Sequence, residues 1–407
     1  MSKKSEAPST QIDTLLGRLR LASNLKGKAA LDTYIHFARR YLVNTETHEV
    51  EQTDFDELAA DVERAWCFVQ ERKSSRPLVN FEQTERRESG RTTPTTTVRV
   101  LLDDKPFVVD SIRQALLRCG ATIKEVRNTV LFCGRKKAGS KAEGYGRFGE
   151  LAALSNSIDD DFSAEAFCSI TTARIPQDEL KEFENEVRDT LQHVSAAVSG
   201  YREMTAAASN LRRDLLTHAE FLPVSEENVA ESIEFIGWLV DNHFTFLGYE
   251  KYRIATRGGE SVLQLDTDSL LGVSQLKSRL KTQTKVASLP GAAADFIDRP
   301  KLLSFAKSSM RSKVHRPAYY DYVLVKEFDK SGQVTHMHRF LGLYTSSVYF
   351  REALAIPLLR KKVSRALDKS GFIPNGHNMK DLLQVINTFP RDELFQVGSA
   401  KLLETAV

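Results

Sequence analysis

The chain has 407 residues, which points to about two or three domains. Hydrophobic residues at 41% and charged residues at 27% suffice for packed cores and exclude wholesale disorder. Lys and Arg number 57 against 54 Asp and Glu, a net charge of +3 that argues against coating nucleic acid, and the lack of an 18-residue apolar run argues against a membrane helix.

Residues 1–11 read as a flexible polar tail. With no apolar stretch behind them they exclude an ordinary secretory signal, so a cytoplasmic location is expected. Cys67, Cys119, Cys133 and Cys168 are widely spaced and hold no CxxC pair. They read as buried free thiols, not as a zinc cage or a disulfide framework.

Residues 12 to about 72 read as helices. Leu31, Tyr34, Ile35, Ala38 and Leu42 form one apolar stripe, and Leu58, Val62, Ala65 and Trp66 form another. Residues 82–97 are polar and hold Gly and Pro, which predicts a linker or long loop. Thr97–Leu102 then reads as a strand. Val108, Val109, Ile112, Leu116 and Cys119 predict a helix closed by Gly120. Residues 122–133 return to strand character, 135–161 read as an exposed loop, and Phe167–Arg174 as a further strand. Leu180, Phe183, Val187, Leu191, Val194 and Val198 define a long helix with Gly200 after it. Strand, helix, strand, strand, helix is most of a ferredoxin-like βαββαβ unit, and its last strand is not evident.

Residues 201–224 read as a mostly helical connector, and Ser225 as the cap of a helix bearing Val229, Ile233, Ile236 and Val240. His243–Ile254, 261–265, 302–309, Tyr319–Phe328 and Val334–Tyr344 give about five strands of a mostly antiparallel sheet. Asp329–Gly332 is the turn of one hairpin. Helices follow along Leu359, Val363 and Leu367 and along Met379, Leu382, Leu383 and Ile386. A last helix starts at Ser399, and a chain that stops so soon after suggests a piece of a longer protein. The fold class expected is α+β.

Few residues point to chemistry. Gly144-Tyr145-Gly146-Arg147-Phe148-Gly149 matches GxGxxG, but no hydrophobic strand precedes it, so a Gly-rich loop is the reading. Ser304 and Lys307 match SxxK, yet on a strand they point to opposite faces. His336 and His338 share a strand face without a third ligand in view. Lys313, His315 and Arg316, with Lys326 downstream, form a basic cluster suited to a carboxylate, a phosphate or an interface. Asp103, Asp104, Lys105, Pro106 and Phe107 join a strand to a helix N-terminus, where backbone amides can meet an anion. This loop is the strongest candidate. No catalytic constellation and no metal site emerges. RNA binding through the βαββαβ unit is disfavoured because Phe167–Arg174 lacks the aromatics on which bases stack.

Several segments together resemble a known family. They are Asp104–Ser111, Asn242–Tyr249, Val314–Tyr319, Arg339–Ser347 and Pro390–Gln396. From about residue 28 onward the chain is similar to the N-terminal region of the large bacterial NAD-specific glutamate dehydrogenases. The resemblance implies an ACT-like module over residues 95–205 and a PAS-like antiparallel sheet within 206–350, preceded by helices and linker at 12–94 and followed by helices at 351–407. It implies an enzyme that oxidatively deaminates L-glutamate to 2-oxoglutarate with NAD, whose cofactor-binding and catalytic residues lie outside this chain. The segment itself is implied to serve assembly and regulation. Its partners would be the catalytic region, further copies of itself and a small-molecule effector. Amino-acid-binding ACT loops carry Asp-x-Pro-Gly, and here Phe107 stands where that pattern has Gly. Arg127-Asn128-Thr129 likewise replaces a His-Pro pair of the family. A free-standing amino-acid-sensing module is the alternative.

Overall fold

The computed structural model describes residues 8–23, 25, 27–43, 54–88, 91–136, 145–157, 161–257, 260–277, 281–288, 296–297 and 301–406. It divides into two compact units, residues 1–192 with 313–316, and residues 193–312 with 317–407. Among the described residues no helix is long and apolar enough to cross a membrane.

The first unit begins with three helices, α1 (Pro8–Ala22), α2 (Lys28–Leu42) and α3 (Phe55–Val69). The stripes that predict them are buried at Tyr34, Ala38 and Leu42 and at Leu58, Val62, Ala65 and Trp66. Asp54 caps α3, its carboxylate accepting from the Asp56 N–H at 2.9 Å. A six-stranded antiparallel sheet follows: β1 (Glu71–Arg72), β2 (Leu78–Glu88), β3 (Arg91–Asp103), β4 (Ile123–Arg135), β5 (Gly149–Ser155) and β6 (Ser163–Ala173). Its order is β1-β5-β4-β6-β3-β2. Helix α4 (Val108–Arg118) and the first part of α5 (Leu180–Ser199), up to Gln192, complete the unit. Alternation along the strands sorts the side chains. Leu101, Leu131, Cys133 and Phe167 join the core beneath α1–α3, while α4 packs on β4 and β6.

Two expectations fail here. Residues 82–97 are not a linker, because β2 and β3 pair continuously from Leu78↔Leu101 to Glu88↔Arg91. Their polarity imitates a loop, but the threonines are β-branched and pair across the strands, with Thr84 and Thr95 hydroxyls 3.1 Å apart. Pro94 lies beyond the β6 ladder, which starts at Thr95, so its missing N–H breaks no bond on that side. The ferredoxin-like pattern has no evident last strand because its place beside the first, β3, is filled by β2, which precedes it in the chain.

The segment 135–161 is likewise not all loop. Gly149–Ser155 forms β5 on the edge of β4, and Leu151 is buried. Gly149 has φ +127, and a Cβ there would lie 2.2 Å from the Lys136 carbonyl oxygen, so the strand can start only with glycine. Residues 137–144 and 158–160 of that segment lie outside the described residues, as do residues 1–7 of the predicted tail, whose residues 8–11 instead belong to α1.

The second unit contains α6 (Tyr201–Thr217), α7 (Glu226–Trp238) and the antiparallel sheet β10-β11-β12-β7-β8-β9. The strands are β7 (Phe244–Arg257), β8 (Glu260–Gly272), β9 (Gln283–Lys285), β10 (Leu303–Arg311), β11 (Tyr319–Phe328) and β12 (Val334–Tyr344). The predicted turn between β11 and β12 is present, with the Asp329 carboxylate accepting from the N–H groups of Ser331 and Gln333. After α8 (Ser346–Tyr349) come α9 (Leu359–Lys369), α10 (His377–Thr388), α11 (Arg391–Gln396) and α12 (Ser399–Ala406). One sheet face carries Phe244, Phe246, Phe340 and Tyr344 into a core shared with Phe235, Trp238 and Phe395. Met337 on the other face joins a smaller cluster with Leu263, Val286, Phe296 and Ile297.

Candidate functional site

The loop Asp103–Phe107 joins β3 to α4. Phe107 is the N-cap residue of α4 and has φ 71, the left-handed region. A side chain there costs roughly 1–2 kcal/mol relative to glycine. The Phe107 ring lies 5.1 Å from the His315 ring. The Ser111 hydroxyl oxygen accepts from the His315 N–H at 2.9 Å, and His315 Nδ1 lies 3.5 Å from the Asp110 carboxylate. The two candidate groups read from the sequence therefore meet at the start of α4.

The members of these groups are already engaged. Lys313 sits 2.7 Å from Glu186 and 2.6 Å from Asp189. Burial works against its charge, but those carboxylates outweigh it and raise the lysine pKa. Asp103 pairs with Arg72 at 2.8 Å and Arg147 at 2.7 Å. The Asp104 N–H donates to the Ala164 carbonyl at 3.0 Å. Arg316 and Lys105 are both half-buried. Lys326 is no part of a basic cluster, because it is fully buried and donates to the carbonyls of Phe296 and Ile297. A cavity of about 180 Å³ lies against the loop, lined by Lys105, Phe107, Asn128, Thr129 and Phe167 among others. Pockets that enclose small molecules measure about 300–1,000 Å³, so this one is small.

Replacing Phe107 with glycine relieves the backbone but gives up the ring contact, worth about 0.5–1.5 kcal/mol. The two effects oppose each other, and the unfolding midpoint of the first unit is expected to move by no more than about 1 kcal/mol equivalent. Trp66 fluorescence during urea unfolding in a Trp238→Phe background measures it. A loss of about 3 kcal/mol would instead make Phe107 a structural anchor.

Two buried ion networks escaped the sequence reading. Under α1–α3, Asp61 pairs with Arg99 at 2.7 Å and Arg127 at 2.6 Å and accepts from the Tyr41 hydroxyl at 2.8 Å. Burial would raise the Asp61 carboxyl, but Arg127 and Arg99 outweigh it and hold the pKa down. Glu82 pairs with Arg99, and Glu125 with Arg127 and Arg86. In the second network the fully buried Arg135 clasps Glu165 with two bonds of 2.7 and 2.8 Å. Arg135 also donates to the Val69 and Gly149 carbonyls, and Arg72 reaches Glu165 at 3.4 Å. This network anchors the candidate loop through Asp103. The available signal was an arginine at strand positions whose alternation faces the core.

In the second unit, Glu250 is buried among Arg339, Lys277, Ser274 and Tyr252. Glu327 accepts from His338 at 3.0 Å and from Lys251 at 3.1 Å. The other ring nitrogen of His338 meets the Tyr249 hydroxyl at 2.9 Å. His336 stands 3.5 Å from Glu327, and burial holds its pKa down. Among the described residues no group of three or more His, Cys, Asp or Glu is placed to hold a metal ion.

The other motifs form no site. Lys307 pairs with Asp321 and Asp392. Gly146 bridges to Arg135 and leads into a strand instead of a helix, while Gly144 lies outside the described residues. The cysteines are free. Cys133 and Cys168 are buried as expected, and burial pushes the Cys168 thiol up to about 12. Cys67 is exposed and Cys119 half-buried, against expectation: Cys67 falls off the apolar stripe of α3, and Cys119 is the C-cap residue just past the last turn of α4.

Comparison with known proteins agrees with this architecture. Residues 37–187 match the glutamate dehydrogenase ACT1 domain family, and residues 356–407 match glutamate dehydrogenase helical motif 1. NAD-specific glutamate dehydrogenase of Halomonas elongata is 33% identical over 392 residues, covering 95% of this chain and 24% of that protein. The Pseudomonas aeruginosa protein of the same name is 33% identical over 390 residues, with 95% and 23% covered. That of Mycobacterium tuberculosis is 28% identical over 229 residues, with 56% and 13% covered. The chain thus spans about a quarter of the length of the first two relatives. With ACT1 and helical-motif matches in one chain and a third of its residues identical along nearly all its length, the chain belongs to the NAD-specific glutamate dehydrogenase family.

Proposed function

We propose that this chain is the N-terminal regulatory and assembly part of an NAD-dependent glutamate dehydrogenase. The whole protein would convert L-glutamate and NAD to 2-oxoglutarate, ammonia and NADH. The observation that carries the reading is 33% identity along 95% of this chain against only a quarter of the relatives, with an ACT1 domain inside the match. In this reading NAD and the catalytic groups belong to the rest of the protein, and this part turns over no substrate. The second sheet is read as PAS-like, supported by its long antiparallel strands with β7 beside β12, the first next to the last. The full enzyme is read as a cytoplasmic homo-oligomer in glutamate catabolism, with this segment contacting its own catalytic region.

NADH formation followed by absorbance tests this. The full-length protein is expected to turn over L-glutamate with NAD, and the 407-residue chain alone is not. Turnover by the chain alone, or none by the full-length protein, would sink the reading. If the 103–107 loop carries regulation, Lys105→Ala and Phe107→Gly will change the effector response of the full enzyme and leave its KM for NAD unchanged. An unaltered response in both variants removes the loop from regulation.

A second reading, a free-standing amino-acid sensor, draws on the cavity beside that loop. Thermal unfolding of the chain with a panel of amino acids separates the two. A ligand at about 100 times its Kd adds roughly 2.7 kcal/mol, a visible shift.

A further inference from the structure

The second unit holds a cavity of about 560 Å³. Its walls are of two kinds. Leu302, Phe305, Leu358, Phe395 and Val397 supply apolar surface. Lys301, Lys361, Lys362 and Arg365 supply four cations, and no described carboxylate lines it. Lys361 is balanced by Glu227 at 2.6 Å and donates to Asn228 at 2.7 Å. Lys362 donates to the carbonyls of Leu394 and Phe395 at 2.6 and 2.9 Å. Those neutral acceptors hold the ammonium in place without cancelling its charge. Burial, and then Lys301, push its pKa down to about 8. Lys301 and Arg365 are exposed. Arg365 lies close enough to Glu227 to help hold that carboxyl's pKa down, after Lys361.

Four cations with a single carboxylate, Glu227, beside them thus converge on one partly apolar cavity. Like charges near low-dielectric walls repel each other, and an anion among them reverses that repulsion into attraction. The Arg365 guanidinium suits a two-pronged grip on a carboxylate or phosphate. The phenyl rings of Phe305 and Phe395 suit an apolar or flat body. The volume falls within the roughly 300–1,000 Å³ of small-molecule sites. We propose that this cavity binds a small organic anion that carries two or more negative charges. An organic phosphate and an organic polycarboxylate share that chemistry. The proposal rests on the cavity and its cations alone, so it stands apart from the dehydrogenase reading.

Titration calorimetry of the 407-residue chain in phosphate-free, low-salt buffer tests it with ATP, citrate, adenosine and inorganic phosphate as probes. ATP or citrate is expected to bind with a Kd of about 100 μM or tighter, and adenosine and inorganic phosphate at least about tenfold more weakly. Binding by ATP alone assigns an organic phosphate, and binding by citrate alone a polycarboxylate. The double variant Lys301→Glu/Arg365→Glu is expected to weaken that binding by at least about tenfold, while its unfolding midpoint without probe stays put because both side chains are exposed. Added salt will weaken binding as well. No heat with ATP or citrate at about 1 mM, binding that survives the charge reversal, or phosphate binding as tightly as ATP would each overturn the proposal.

Discussion

Replacing Glu165 with glutamine is expected to destabilise the first unit by about 3–5 kcal/mol. Arg135 and Glu165 are both fully buried and joined by two short bonds. Arg72, 1% exposed, reaches the same carboxylate. Removing the negative charge strands the buried Arg135 guanidinium, while Arg72 keeps its pair with Asp103. A buried pair adds little net stability over an apolar pair, but breaking it is costly because one charge is stranded. The chain has two tryptophans, Trp66 in the first unit and Trp238 in the second. In a Trp238→Phe background, Trp66 fluorescence during urea unfolding reports the first unit alone. The control is Arg135→Met combined with Glu165→Gln. If the stranded charge is the cause, the double variant regains about half of the loss or more. A single variant within about 1 kcal/mol of the parent would show that Glu165 does not hold this network together.

Acid is expected to unfold the second unit through Glu250. Burial by itself would raise this carboxyl, but Arg339 and then Lys277 outweigh burial and hold it at about 2, against an ordinary value of 4.5. The unfolded chain therefore binds the proton more readily than the folded one between those values. The stabilisation is complete above about pH 4.5 and disappears as the pH falls through about 2. Its size is roughly 3 kcal/mol. Glu327 is also held at about 2, chiefly by the His338 hydrogen bond, but it is a third exposed and contributes less. In a Trp66→Phe background, Trp238 fluorescence during urea unfolding from pH 2 to 7 follows the second unit. Glu250→Gln is expected to lose roughly 3 kcal/mol at pH 7 and most of the slope between pH 4.5 and 2. A variant with the parent's slope would show that the acid sensitivity lies elsewhere.

The local elements were legible from residue spacing because their signals are local. Tyr34, Ala38 and Leu42 recur at helical spacing, and each is buried on the face that spacing selects. The turn Asp329–Gly332 needs only its own carboxylate to fold, so its four residues announce it. The candidate loop was also visible, since Pro106 and Phe107 stand at the junction of a strand and a helix. Its chemistry was less so. The left-handed backbone of Phe107 leaves no trace in composition, and the two acids that occupy Lys313 lie more than 120 residues away.

Composition by itself set only that this molecule has packed cores; the α+β class came from the order of its helices and strands. The spacing of its apolar residues set most of its helices and strands, because a helix or strand face is selected by neighbours three, four or two positions away. The tertiary structure alone decided the rest. It placed the polar strand β2 beside β3, which no periodicity could do, since pairing is chosen between strands and not within them. It gave Arg99 and Arg127 a common partner in Asp61, 38 and 66 residues distant. It also drew Lys301, Lys362 and Arg365 around one cavity. A buried charge is stable only where packing delivers its counter-charge, and packing joins residues that the sequence keeps far apart.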